Sequence, residues 1–152
     1  AKLEQLEGII STLPWIATVD AFQHWIYENP NHNRQERSDK WMELNKRFGT
    51  GMVDFSGLEY ALEFSWHKQL HIFEVPFYYV EYGFAQLGAL GLWKNYCANG
   101  KTAIDQYKAA LTKGYTESIP DIYNTAGVRF DFSAEYVKRL FTFVEEKIKS
   151  FE

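Results

Sequence analysis

Apolar side chains recur at three- and four-residue intervals along most of the chain, which is the spacing of amphipathic helices. This pattern predicts a first helix over residues 3–29, which Pro14 should kink or split in two. A second, more polar helix is predicted over residues 34–48. A third should begin at Ser56, a suitable N-cap, and end two residues before Pro76, because a residue that precedes proline is disfavoured in the helical conformation.

The fourth predicted helix, over residues 77–98, is apolar nearly all round, which is typical of a central, buried helix. It contains Gly83, Gly88 and Gly91, and each glycine lowers helix propensity by about 1 kcal/mol relative to alanine. We therefore expect a neighbouring backbone to approach this helix closely. Cys97, near its end, is expected to be a small buried residue rather than a nucleophile.

The remaining pattern predicts a helix over residues 101–113, a short helix that opens at Ser118, and a loop or short extended piece over 126–132. A last helix, capped by Ser133, carries one apolar stripe. The sequence shows no alternation typical of a strand ladder, no internal repeat and no domain linker. It therefore predicts an all-α fold in which residues 1–152 form a single helical region.

Composition and charge exclude several classes of function. The net charge is −4 with the charges scattered, and no basic stripe or zinc knuckle occurs, so nucleic-acid binding is not expected. The longest apolar stretch, residues 77–93, contains Glu81 and Gln86 and is too short to span a bilayer. A single cysteine excludes an internal disulfide and fits a reducing compartment, so we expect a cytoplasmic protein that does not bind membranes.

Two histidines, His67 and His71, are four residues apart and share a face of the predicted third helix. Their spacing is that of the zinc-protease motif H-E-x-x-H, but Lys68 occupies the position of the glutamate base. Glu63 lies one turn earlier and completes a possible three-ligand stripe, although one helix rarely closes a tetrahedral site. A helical metal-binding protein that uses Glu63, His67 and His71 remains one alternative, and a surface or interhelical histidine pair is another.

Three tyrosines follow the proline break at the start of the fourth predicted helix: Tyr78, Tyr79 and Tyr82. Phenol O–H groups, like the imidazole N–H of His71, are donors that an enzyme can direct at a developing oxyanion. Free backbone N–H groups and the positive end of the dipole also favour anions at a helix start. The alternative is that the tyrosines are core aromatics with solvated hydroxyls.

Three segments of the chain carry a resemblance to a known family. They are residues 13–25 (LPWIATVDAFQHW), 69–82 (QLHIFEVPFYYVEY) and 126–133 (AGVRFDFS). Through these segments the chain closely resembles the C-terminal part of oligoendopeptidase F, in the thimet-oligopeptidase-like group of zinc metallopeptidases. The central segment is specific, and the outer two support it.

The resemblance implies that this chain is a fragment of a larger zincin-type catalytic domain. The family binds zinc through an H-E-x-x-H helix and a downstream glutamate, upstream of the part that this chain resembles, and no H-E-x-x-H occurs here. The chain would then hold one half of an active site and depend on the upstream zinc-binding portion of the same protein. The histidine spacing of residues 67–71 would be a coincidence.

By position, His71 matches the family's histidine, and Tyr79 and Tyr82 match its tyrosine pair, with Tyr78 as a third candidate. The implied catalytic residues are His71 and Tyr82. Tyr82 would donate to the tetrahedral oxyanion beside zinc, and His71 to the substrate backbone or the same oxyanion. Tyr79 and Tyr78 would hold a short peptide substrate. The isolated 152 residues should be inactive. A non-catalytic helical interaction module remains an alternative.

Overall fold

The computed structural model describes residues 2–150, and this part of the chain consists of helices joined by turns and loops, without a β-strand. The predicted all-α fold class is confirmed. Within these residues no helix is both long enough and apolar enough to cross a membrane. The helices are α1 (Lys2–Glu28), α2 (Arg34–Phe48), α3 (Glu59–Glu63), a 3-10 helix (Ser65–Lys68), α4 (His71–Glu74), α5 (Val80–Asn99), α6 (Lys101–Thr112), α7 (Ile119–Thr125) and α8 (Ala134–Lys149).

The chain folds into two compact units. The histidine unit is Glu7–Gly83 and contains all four histidines. The terminal unit comprises residues 2–6 and 84–150 of the part that the structure describes. Helices α1 and α5 belong to both units, because a unit boundary falls within each of them. That residues 1–152 are one region of a larger catalytic domain stays a prediction.

The core of the histidine unit is largely aromatic. Its buried centre consists of Val19, Phe22, Trp41, Leu44 and Trp66. Phe22 and Trp41 are completely buried, and their ring centroids lie 4.9 Å apart in an edge-on arrangement. Trp66 belongs to the 3-10 helix, and its ring lies 5.5 Å from that of Phe22. The short helix that precedes His71 is therefore anchored to α1.

Helix α1 continues through Pro14 from Lys2 to Glu28, so the predicted split into two helices is wrong. Proline removes one backbone donor and normally costs about 3 kcal/mol in a helix interior. Two of the residues that follow it in the helix, Val19 and Phe22, are completely buried. Burial of this face offsets the cost, which local pattern alone could not reveal.

The predicted third helix over residues 56–74 is also wrong, since α3, the 3-10 helix and α4 occupy this stretch. Ser56 does not cap a helix, because its backbone N–H and its hydroxyl both donate to Asp54 Oδ1, at 2.9 and 2.6 Å. Gly57 then adopts a φ of +78°, which a helix cannot contain. The three short helices leave His67 and His71 on different elements.

Helix α5 is buried along one side only, although the sequence, which is apolar nearly all round, predicted a central helix that is the most buried element. Leu87 and Leu90 are buried in the terminal unit, whereas Tyr96 is half exposed. Cys97 is exposed, so the expectation of a buried cysteine is wrong. The helix also begins three residues later than predicted, because Phe77 has a positive φ and cannot belong to it.

The glycines of α5 make room for side chains rather than for a neighbouring backbone. A Cβ at Gly88 would lie 2.6 Å from the Tyr123 hydroxyl oxygen, and one at Gly91 would lie 2.7 Å from a Val128 methyl carbon. Both distances are far below van der Waals contact, so any larger residue would displace these side chains. The expected close packing is present, but its partner differs.

In the terminal unit, the predicted helix start at Ser118 and the predicted cap at Ser133 are confirmed. Ser118 accepts a hydrogen bond from the Asp121 backbone N–H at the start of α7, and Ser133 accepts one from the Tyr136 N–H at the start of α8. Each bond satisfies an amide that has no partner within its own helix. Helix α8 buries Leu140 and Val144 of its predicted stripe.

Candidate active site

The candidate site lies on a segment of the histidine unit whose helices are short and separated by turns. Gln69 has a non-helical backbone between the 3-10 helix and α4, with φ of −90° and ψ of 86°. His71 is the first residue of α4, and Tyr82 lies in the first turn of α5. Because Pro76 stands between these two helices, the chain can turn back and bring the start of α5 near the start of α4.

Phe77 forms the turn between the histidine and the tyrosines. Its φ of 62° lies in the left-handed region, which costs a residue with a Cβ roughly 1–2 kcal/mol. Its backbone N–H donates to Gln23 Oε1 at 3.4 Å, and its ring lies 4.9 Å from His24 and 5.0 Å from Tyr27. These contacts with α1 hold the strained turn in place and thereby set where α5 begins.

The structure brings the four predicted site residues together. The ring centroids of Tyr79, Tyr82 and Tyr78 lie 4.9, 5.6 and 6.3 Å from that of His71. His71 Nε2 lies 3.3 Å from the Tyr82 hydroxyl oxygen. Tyr78 and Tyr82 are 50% and 43% exposed, whereas Tyr79 is half-buried and packs against the core of the histidine unit. The interpretation as core aromatics therefore applies in part to Tyr79 but not to the two exposed tyrosines.

Two side chains that the sequence analysis missed also belong to this cluster. Gln69 Nε2 lies 2.7 Å from His71 Nδ1, and Gln69 Oε1 accepts a hydrogen bond of 3.3 Å from Trp15 Nε1. Gln69 is only two residues from His71, so its proximity could have been considered. Trp15 lies 54 residues before Gln69, and no local spacing could have revealed it.

The three-ligand stripe of Glu63, His67 and His71 does not form. His67 packs against Trp66, with ring centroids 4.0 Å apart, whereas His71 packs against the tyrosines. Across the residues that the structure describes, no group of three or more His, Cys, Asp or Glu side chains could hold a metal ion. The stripe required one continuous helix from residue 63 to residue 71, and that helix is interrupted.

The two outer segments of the resemblance support their own units. In the first, Trp15 packs edge-on against Trp41, with centroids 5.6 Å apart. In the last, the backbone N–H of Ser133 donates to Asp131 Oδ1 at 2.9 Å, and this bond lowers the pKa of the Asp131 carboxyl. Gly127 has a φ of 71°, which favours glycine at this turn.

With this arrangement established, comparisons with known proteins identify the family. Residues 1–141 match the model of peptidase family M3. The chain belongs to peptidase family M3. A crystal structure described as oligoendopeptidase F is similar over 98% of this chain, with a TM-score of 0.83 and 27% sequence identity. No curated protein sequence is significantly similar to the chain.

The family assignment confirms the resemblance found in the sequence. The chain spans only about a quarter of the solved structure that it matches, covering 26% of its length. A helical portion of an M3 peptidase is therefore what the chain provides. The geometry of the cluster supports proposals, but no more, for the roles of its four residues: His71, Tyr78, Tyr79 and Tyr82.

Proposed function

We propose that this chain provides the oxyanion-binding and substrate-binding side of the active site in a zinc-dependent oligoendopeptidase that hydrolyses short peptides. Membership of family M3 and similarity to an oligoendopeptidase F support the reaction class. The proposed roles of the residues rest on one distance: His71 Nε2 lies 3.3 Å from the Tyr82 hydroxyl oxygen. Two polar atoms this close can serve the same substrate oxygen.

Hydrolysis of a peptide bond places negative charge on the carbonyl oxygen when water adds to the carbonyl carbon. Preorganised donors stabilise this charge, and their effect is largest where the substrate excludes water. A phenol O–H is a hydrogen-bond donor, so Tyr82 is able to donate to such an oxygen. Tyr82 is thus the proposed oxyanion donor, and His71 donates to the substrate backbone or to the same oxygen.

Tyr78 and Tyr79 are proposed to hold the peptide. The ring of Tyr78 is parallel to that of His71 within 4° and is half exposed. It therefore offers an apolar face beside His71 and Tyr82, the polar pair of the site. Tyr79 is fixed between the core and His71, and its contact with a substrate would be the same before and during the reaction. A contact of that kind contributes to KM more than to kcat.

Zinc in the intact enzyme is proposed to be held by residues outside this chain, as the family resemblance implies. The proposed partner is the upstream zinc-binding portion of the same protein, which would also supply the general base. This chain contributes hydrogen-bond donors and aromatic surface. The isolated 152 residues should accordingly be inactive.

The alternatives gain no support from the structure. A metal-binding protein that uses Glu63, His67 and His71 would need the interrupted helix to be continuous. A non-catalytic interaction module would leave the polar pair at the centre of the tyrosine cluster without a purpose. A cytoplasmic location stays a prediction that rests on the single cysteine, Cys97.

The proposed function predicts that the intact protein which contains this chain cleaves a short internally quenched peptide. Activity should disappear when a chelator removes the metal and should return when stoichiometric zinc is added, because the metal is expected to be essential for hydrolysis. The 152-residue chain assayed alone should not cleave the peptide. Cleavage that persists in metal-free protein, or its absence from zinc-loaded protein, would contradict the proposal.

A further inference from the structure

Gln69 connects the polar pair of the candidate site to α1. Its Nε2 lies 2.7 Å from His71 Nδ1, and its Oε1 lies 3.3 Å from the indole Nε1 of Trp15. Gln69 lies between the 3-10 helix and α4, and its backbone there is non-helical. The side chain therefore occupies a fixed place between an indole and an imidazole.

The indole fixes which end of the amide faces the histidine. An indole N–H can only donate, so the Gln69 atom beside Trp15 must be the carbonyl oxygen. The amide nitrogen then faces His71 Nδ1, and an amide NH₂ can also only donate. His71 Nδ1 must therefore accept, which leaves the proton of the neutral ring on Nε2.

This tautomer directs the hydrogen bonds of the cluster outward. Nε2–H of His71 points at the Tyr82 hydroxyl oxygen, 3.3 Å away. Without substrate that oxygen accepts, so the Tyr82 O–H proton is free to point at a substrate. The same Nε2–H is the donor that His71 can turn towards a bound peptide. The donors then run in one direction from Trp15 through Gln69, His71 and Tyr82, and successive hydrogen bonds of this kind strengthen one another.

We propose that Gln69 is a positioning residue of this site, which holds neutral His71 as the Nε2–H tautomer and thereby leaves the Tyr82 proton available to the oxyanion. Trp15 holds Gln69 in the required orientation. This inference rests on the proposed peptidase function for its effect on rate. Its effect on the tautomer of His71 does not depend on catalysis and can be measured separately.

The sharpest variant is Gln69→Glu, because a carboxylate can only accept a hydrogen bond where the amide donates. The neutral His71 ring would then carry its proton on Nδ1, and Nε2 would accept from Tyr82. The phenol proton would turn away from the substrate. At alkaline pH, where an imidazole is neutral, kcat should fall by about 10–100-fold, the range for mutating a residue that hydrogen-bonds and orients a site residue. Acidification should restore activity, because a doubly protonated ring again donates from Nε2.

The measurements use the intact protein. The ¹⁵N chemical shifts of selectively labelled histidine report which ring nitrogen of His71 is protonated, and a pH profile of kcat and KM accompanies them. The titratable side chains in contact with His71 are Tyr78, Tyr79 and Tyr82.

Gln5→Glu is the matched control, since it makes the same change at an exposed position of α1. It should leave the tautomer and the pH profile unchanged. Trp15→Phe tests the same series of hydrogen bonds without altering Gln69. It replaces Gln69→Glu as the test if that variant does not fold. Without the indole donor the amide can turn over, and a second His71 tautomer should appear in the spectrum.

A wild-type His71 that carries its neutral proton on Nδ1 would overturn the proposal. So would a Gln69→Glu variant with an unchanged kcat at alkaline pH, or an unchanged tautomer in both variants. Failure of the proposed function has a different signature. In that case the tautomer responds as expected in Gln69→Glu and Trp15→Phe, but the zinc-loaded protein does not cleave peptides.

Discussion

Replacing Tyr82 by phenylalanine in the intact enzyme is expected to lower kcat by about 10²–10³, the scale for losing one oxyanion donor. The substitution removes one hydroxyl group and little volume. Tyr82 is 43% exposed, and its hydroxyl contacts His71 Nε2, so the core of the histidine unit should not be disturbed. Zinc content should stay unchanged, because no ligand for the metal is altered.

Steady-state kinetics on a quenched peptide would measure this effect, with metal content determined on the same samples. Tyr115→Phe is a suitable control, because Tyr115 is fully exposed and the change of side chain is identical. Tyr79→Phe provides a second comparison within the cluster. It should raise KM more than it lowers kcat if Tyr79 binds substrate and transition state equally.

A wild-type kcat in Tyr82→Phe would show that the phenol does not act on the oxyanion. The tyrosines would then be aromatic packing around His71, as the sequence analysis had left open. An equal loss of kcat in Tyr115→Phe would instead point to a general effect on the protein. The comparison between the two tyrosines separates these outcomes.

The parts of the fold that depend on local signals could be predicted from the sequence. Helix α2 occupies the predicted residues 34–48, and α8 begins after its predicted cap, Ser133. The interruption between residues 56 and 74 could not be predicted, because the apolar spacing continues through it. The helical conformation ends before α4 at Gln69, whose backbone is non-helical. Its side chain binds His71 and also Trp15, which lies 54 residues away in the sequence.

The candidate site shows the same division between local signals, which could be predicted, and contacts between distant residues, which could not. His71 and the tyrosines could be proposed from residues 69–82 because these residues are contiguous and resemble a known family. The groups that orient them come from α1, far away in sequence: Trp15 binds Gln69, and Gln23 binds the backbone of Phe77. Single-sequence spacing carries no information about such pairs, since each is separated by 54 residues.

The largest expected loss of stability comes from Trp41→Ala, which should destabilise the histidine unit by about 3–5 kcal/mol. Trp41 is completely buried, and its ring lies edge-on to Phe22 at 4.9 Å and to Trp15 at 5.6 Å. Alanine would leave a cavity between α1 and α2. Trp15 would lose the ring against which it packs, so the orientation of Gln69 should also become less well defined.

Trp41 also anchors the segment that leads to His71. Its indole Nε1 lies 3.0 Å from the Leu62 carbonyl oxygen and 3.0 Å from Ser65 Oγ. Trp41→Phe keeps much of the ring but loses this donor, so it should cost about 1–2 kcal/mol, near the net value of a buried hydrogen bond. The Leu62 carbonyl retains the Ser65 hydroxyl as a donor at 2.8 Å, which limits the loss.

Hydrogen exchange of the intact protein, read by mass spectrometry, would distinguish anchoring from general destabilisation. Exchange in residues 59–68 should accelerate in Trp41→Ala and less in Trp41→Phe, because opening of this segment requires the Trp41 bonds to break. Tyr60→Ala removes an aromatic side chain that is 63% exposed in the same segment, and should have little effect. If exchange in residues 59–68 were the same in Trp41→Ala as in Tyr60→Ala, the indole would not anchor the segment, and the position of His71 would depend on Trp66 and Gln69 instead.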